Sequence, residues 1–207
     1  MSDAGKRGLL MVLSGPSGSG KSTVIHAMIR QYGIFLPPIH FSVSATTRPP
    51  RPDETEGEHY RFVAPDAFMT LRDNGGLLEW AEYAGNYYGT PTEPVCRYIE
   101  KGHVVLLDIE VKGALQVKQA YPDSLFVYLV PRSLSQLEAR LRARGTESEA
   151  GIARRMQTVG EQIQHLDIYD QIVFNDTGRV DEAAFNLAAV IAARLSRGQI
   201  NSHLIQA

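Results

Sequence analysis

Apolar and polar positions along the chain follow two periods that alternate. Leu9–Leu13, Val104–Ile109 and Leu125–Val130 are near-continuous apolar runs, as expected of strands buried on both faces of a parallel sheet. Gln171–Phe174 reads as a shorter strand, and Ile39–Ala45 has strand composition. Between these runs apolar residues recur at helical spacing. They are Val24, Ile25, Met28 and Ile29, then stretches over 111–120, 133–144 and 149–165. A last helix is expected over about 181–197, with a mobile tail from Gly198. Strands alternating with helices predict an α/β fold with a parallel, helix-covered sheet.

Residues 44–91 break this rhythm. A loop rich in proline and glycine leads to a short strand at 59–63, a helix at 65–74, and strands at 77–83 and 86–88; a helix from Pro91 to Lys101 follows. This is the pattern of a small mixed lobe inserted into the sheet. The expected division is a core of residues 1–43, 92–139 and 166–207, the lobe at 44–91, and a helical lid at 140–165.

Composition narrows the classes. The chain has 207 residues, 43% of them hydrophobic, enough for a packed core, so disorder is not expected. The formal net charge of -2 gives no overall attraction to nucleic acid or to an anionic membrane, so neither is an expected partner. Cys96 is the single cysteine; an intrachain disulfide is impossible and the reducing cytoplasm is the expected location. No apolar stretch is long enough for a membrane span.

Candidate chemistry begins directly after the first strand. Gly15-Pro16-Ser17-Gly18-Ser19-Gly20-Lys21-Ser22, followed by Thr23, matches the phosphate-binding pattern G-x-x-x-x-G-K-[ST] between a strand and a helix. Glycines let the backbone wrap a phosphate, loop N–H groups and the helix N-terminus face the anion, Lys21 adds a point charge and Ser22 a hydroxyl for Mg²⁺. Asp108, closing the run VVLLDI, is placed to approach the Mg²⁺–phosphate region. Ser44, Arg48, Arg51, Glu54 and Tyr60, with a phenol from Tyr87-Tyr88, form a second anion site. Two guanidiniums converge on one phosphate, and Glu54 holds an arginine in place. Two phosphate sites suggest two phosphorylated substrates. Glu79 offers a carboxylate that accepts the adjacent N1–H and N2–H donors of guanine and repels the N1 acceptor of adenine; Thr90, with Ser44, completes contacts to the base. Arg140, Arg142, Arg144, Arg154 and Arg155 flank the polar turn RGTESEAG, as a closing lid would.

SGPSGSGKST, SVSATTRPPRPDETEGEHYRF, LLEWAEYAGNYYGTP and RARGTE together resemble the guanylate kinase family, over about residues 9–195. The resemblance implies a P-loop core, a GMP-binding lobe, a lid, and Mg²⁺-dependent phosphoryl transfer from ATP to GMP. It implies GMP contacts at Ser44, Arg48, Arg51, Tyr60, Glu79, Tyr88 and Thr90. Asp108 and Glu110 match acidic positions near guanine and metal, where the family often has Asp for Glu110; Asp53 replaces a common glycine. Arg140, Arg144 and Arg155 match arginines around the ATP phosphates, and Asn175 a position near adenine. Lys21, Arg48, Arg144, Arg155 and Asp108 are the expected catalytic residues, and Ser22 and Asp108 the expected Mg²⁺ contacts, partly through water. The expected small-molecule partners are ATP and GMP, with dGMP and self-association left open. Two rivals are a non-catalytic protein-binding module of the same fold and a kinase for another phosphorylated acceptor. Intact Lys21, Ser22 and lid arginines oppose the first; Arg48, Arg51 and Glu79 oppose the second.

Overall fold

The computed structural model describes residues 8–83, 85–143, 145 and 148–205, with side chains described through 197. Strands β1 (Leu9–Ser14), β2 (Ile39–Phe41), β7 (Val104–Asp108), β8 (Leu125–Val130) and β9 (Gln171–Phe174) form one parallel sheet in the order β2-β7-β1-β8-β9. The central strand β1 pairs with β7 from Leu9↔Val104 to Leu13↔Asp108, and with β8 from Met11↔Leu125 to Ser14↔Tyr128. This register brings Ser14 and Asp108, the last residues of two neighbouring strands, to the same carboxyl end of the sheet.

Both faces of this sheet are apolar, and the alternation of side chains assigns each residue to a face. Leu9, Met11 and Leu13 pack with Val104, Leu106, Val127 and Leu129 beneath α1 (Lys21–Tyr32) and α7 (Val180–Ile205). Leu10 and Val12 pack with Val105, Leu107, Phe126 and Tyr128 against α3 (Thr92–Glu100) and α4 (Val111–Ala120). Each of these buried side chains is worth roughly 1.5–3 kcal/mol relative to exposure. The unbroken apolar runs are therefore required by two-sided burial, and the α/β architecture expected from the sequence is the one observed.

Strands β3 (Ala45–Thr46), β4 (Arg61–Phe62), β5 (Leu77–Tyr83) and β6 (Asn86–Pro91) form a separate sheet in the order β4-β3-β6-β5, with α2 (Pro65–Asp73) beside it. β5 and β6 are an antiparallel hairpin. Phe68 of α2, fully buried, stacks on Tyr87 at 5.6 Å and fixes the helix to the hairpin. α5 (Leu134–Ala143) and α6 (Glu149–Ile163) follow β8. Ser148 caps α6 by accepting from the Gly151 N–H at 3.2 Å.

Two sequence expectations are corrected. The stretch 39–45 is two strands, not one. Ile39–Phe41 joins the parallel sheet and Ala45–Thr46 the second sheet, because the chain crosses between them at 42–44. The last helix continues through Gly198 to Ile205; a glycine weakens a helix interior but does not end it unless it takes a left-handed conformation. No helix among the described residues is long and apolar enough to cross a membrane.

Candidate active site

The phosphate loop is built by close backbone packing. A Cβ on Gly15 would collide with the Leu129 carbonyl oxygen, so only glycine lets β1 leave the sheet there. Gly20 caps α1 in a left-handed conformation at φ 87, and a Cβ there would stand 2.5 Å from Asn175 Nδ2. No side chain caps the first turn of α1, and it holds no acidic residue. Its N–H groups and the positive helix end are left for an external anion.

Three groups brace the loop. Asn175, 2% exposed, donates from Nδ2 to the Ser19 carbonyl at 2.7 Å. Arg140 donates to the Ser19 carbonyl at 3.3 Å and to the Asn175 carbonyl at 2.8 Å. Lys21 Nζ donates to the Gly15 carbonyl at 2.8 Å and lies 3.6 Å from Asp108 Oδ1. Desolvation by the surrounding protein raises the Asp108 carboxyl above its ordinary value and the Lys21 ammonium pulls it back, while the side chain stays 42% exposed. Residues 16–23 and Asp108 line one recess of about 230 Å³. Arg140, Asn175, Thr177 and Val180 line an adjoining groove of about 400 Å³ that also reaches Gly18, Gly20 and Thr23.

The second sheet carries a different cradle. Arg48 donates from Nη2 to Glu54 Oε1 and from Nη1 to Glu54 Oε2, each at 2.8 Å, and the Arg51 backbone N–H also donates to Oε2 at 2.8 Å. These bonds hold the Glu54 carboxyl down at about 2. The Arg48 guanidinium lies 5.4 Å from the Tyr60 ring centre and interacts with the Tyr88 hydroxyl. Tyr60 and Tyr88 meet edge to face at 6.0 Å. The loop is stitched to β6, since Thr47 Oγ1 accepts from the Tyr87 N–H at 2.9 Å and the Tyr87 carbonyl accepts from the Thr47 N–H at 3.1 Å. Burial raises the Tyr60 phenol above its ordinary value, and Asp108 is among the charges adding to that rise.

Glu79 on β5 is 6% exposed, and Thr90 Oγ1 donates to its Oε1 at 2.7 Å. Burial raises its carboxyl above the ordinary value, partly offset by Thr90. Ser44 is half-buried just before β3, and Glu110 is exposed immediately before α4. Arg51 is exposed and meets the Glu54 pair through its backbone. Arg155 is half-buried on α6, on the stripe shared with the buried Ile152 and Val159. Arg144 lies outside the described residues. The structure thus places residues 16–23 and Asp108 around the recess, Arg140 and Asn175 along the groove, and Arg48, Glu54, Tyr60 and Tyr88 in the cradle. Glu54 reaches the cradle through Arg48.

Sequence reading missed two residues of α4. Gly113 lies against the Glu79 carboxylate, and Gln116 Nε2 donates to the Trp80 carbonyl at 2.8 Å while its Oε1 accepts from the Trp80 N–H at 3.1 Å. A glycine inside a helical stretch was the only signal; a half-buried glutamine carries none.

The chain is similar in sequence and in fold to proteins of one family. The family model described as guanylate kinase matches residues 7–194. The chain is 44% identical over 199 residues to the guanylate kinase of Desulfitobacterium hafniense (strain Y51), covering 96% of each. It is 46% identical over 188 residues to that of Bacillus subtilis (strain 168), covering 91% of this chain and 90% of the relative. The crystal structure of guanylate kinase from Anaplasma phagocytophilum superposes with a TM-score of 0.70 at 29% identity, over 92% of this chain and 88% of that one.

Proposed function

The chain belongs to the guanylate kinase family, and from that premise we infer its reaction: an ATP:GMP phosphotransferase, it moves the γ-phosphoryl group of ATP to GMP and yields ADP and GDP. The observation that carries the reading of the site is the pair of anion cradles: the glycine loop with Lys21 and Asp108 on the parallel sheet, and Arg48 with Glu54, Tyr60 and Tyr88 on the second sheet.

The loop 15–23 takes the ATP phosphates, with Lys21 following the migrating group. The groove beside Arg140 and Asn175 takes the nucleoside. Arg48, Arg51, Tyr60 and Tyr88 take the acceptor phosphate, with Glu54 locking Arg48. Glu79 and Thr90, with Ser44, Asp108 and Glu110 nearby in the chain or the fold, take the base. Residues 44–91 act as the acceptor lobe and 140–165 as the lid, from which Arg144 and Arg155 meet the developing charge.

Mg²⁺ bound with ATP would neutralise charge on the phosphates. The exposed hydroxyl of Ser22 and the carboxylate of Asp108 open on the same recess. Such hard oxygen donors fit an ion that keeps waters and binds mainly through substrate phosphate. Among the described residues no group of three or more His, Cys, Asp or Glu could hold a metal by itself. Transfer needs no side-chain nucleophile. The acceptor phosphate is already anionic, so this chain's work is alignment, charge neutralisation and exclusion of water.

The test is product analysis after incubation with ATP, GMP and Mg²⁺. Equal amounts of ADP and GDP are expected. Release of inorganic phosphate with GMP intact, or no turnover, would contradict the reading.

A further inference from the structure

We propose that Gly113 and Gln116 of α4 are specificity-determining positioning residues: they set the place of the Glu79 carboxylate and through it the preference for a base with two adjacent N–H donors. The proposal rests on the reading of Glu79 as the base-contacting group.

Glu79 is clamped from three directions. Thr90 holds Oε1 from the hairpin partner strand at 2.7 Å. A register shift in the β5–β6 pairing falls between Leu77 and Glu79, and such bulges re-aim a side chain. On the third side is Gly113. A Cβ built there would stand 2.5 Å from Glu79 Oε2, 3.1 Å from Cδ and 3.4 Å from Cγ. Glycine is disfavoured inside a helix and alanine is the best helix former. The helix itself therefore gains nothing from Gly113. The nearest atoms a side chain would meet all belong to Glu79.

Gln116 lies one turn further on, and residues three apart share a helix face. β5 is the edge strand of its sheet, so one row of its backbone groups has no strand partner. The Gln116 amide satisfies both the N–H and the carbonyl of Trp80, the residue after Glu79. It replaces one residue of a missing strand and ties the acceptor sheet to the core at the point where the carboxylate emerges. α4 thus sets both the backbone position and the free space of Glu79.

The test measures kcat and KM for GMP and for IMP, which keeps N1–H but lacks the exocyclic amino group. For Gly113→Ala the GMP KM should rise about tenfold to a hundredfold, the cost of a misplaced charged hydrogen bond. The ATP KM should stay within about twofold, and the GMP-to-IMP ratio of kcat/KM should fall in step. The melting temperature checks that the variant is folded, since the close approach to Glu79 opposes the gain of alanine in the helix. In an E79Q background G113A should add little, because both act on one group. A G113A enzyme with the wild-type ratio overturns the proposal. If G113A does not fold, Gln116→Ala decides: a lowered ratio supports it and a wild-type ratio overturns it. E79Q separates the two levels, since an unchanged ratio there removes the base-site reading itself. A ratio lost in E79Q but kept in G113A removes only the role of α4.

Discussion

Glu54 grips Arg48 with both carboxylate oxygens, each accepting from a separate guanidinium nitrogen at 2.8 Å. The fork is planar and fixed, so Arg48 enters the cradle already oriented. Glu54→Gln keeps one acceptor and turns a donor toward the other nitrogen. The GMP KM should rise about tenfold, with a smaller loss of kcat from misalignment. Because the Glu54 carboxyl is held at about 2 against an ordinary 4.5, the pair is complete above the ordinary value and is lost only as pH falls through about 2. Steady-state kinetics should therefore show no titration of this contact between about pH 5 and pH 9.

Lys21→Ala should lower kcat by about 10²–10³, the cost of removing one preorganised donor from developing charge. Lys21 is held by the Gly15 carbonyl and Asp108, which matches a single ammonium rather than a fork. Lys21→Arg should not restore the rate. Single-turnover measurement with saturating ATP and GMP checks both.

The Glu79 carboxyl is raised by burial, and only its ionised form accepts two donors from a base. The GMP KM should therefore climb as pH falls, starting above the ordinary value of 4.5, and Glu79→Gln should abolish that limb. Stability has the opposite sign. A buried acid with a raised folded pKa binds its proton more readily in the folded state. Folding stability is therefore present at low pH and falls as pH rises from the unfolded to the folded value. At neutral pH Glu79→Gln should match or exceed the wild-type melting temperature while weakening GMP.

Arg51 and Arg155 should separate ground-state from transition-state binding. Arg51 supports the Glu54 pair through its backbone N–H, so Arg51→Ala leaves that bond in place and should raise mainly the GMP KM. Arg155 lies on α6, within the stretch 140–165 proposed as the lid, so on that reading its contacts should form on closure. Arg155→Ala should lower kcat and kcat/KM together. Kinetics with both substrates varied decide, and a change confined to the GMP KM in Arg155→Ala would contradict the lid role.

Legibility followed burial. β8, β9 and α4 begin and end where the sequence pattern put them, because two-sided burial and helix periodicity are local signals. The phosphate loop was legible as glycine spacing between a strand and a helix. The split of 39–45 was not, since composition reports extended backbone but not which sheet it joins. Gly113 and Gln116 were not, because their meaning depends on β5 lying against α4, some thirty residues away in sequence. Asn175 came only through family resemblance and Arg140 was read as one of the lid arginines; their hold on the Ser19 carbonyl is a tertiary fact with no sequence signature.

If one cradle serves ATP and the other a guanine nucleotide, the choice of acceptor is decisive, and a coupled ADP-release assay with ATP and Mg²⁺ over GMP, IMP, AMP, CMP and UMP reads it. The predicted result is rapid turnover of GMP, weaker turnover of IMP, and at least about 10³-fold lower kcat/KM for AMP, whose N1 acceptor faces a carboxylate. Turnover of AMP or a pyrimidine nucleotide at a rate comparable to GMP would contradict that use of the two cradles.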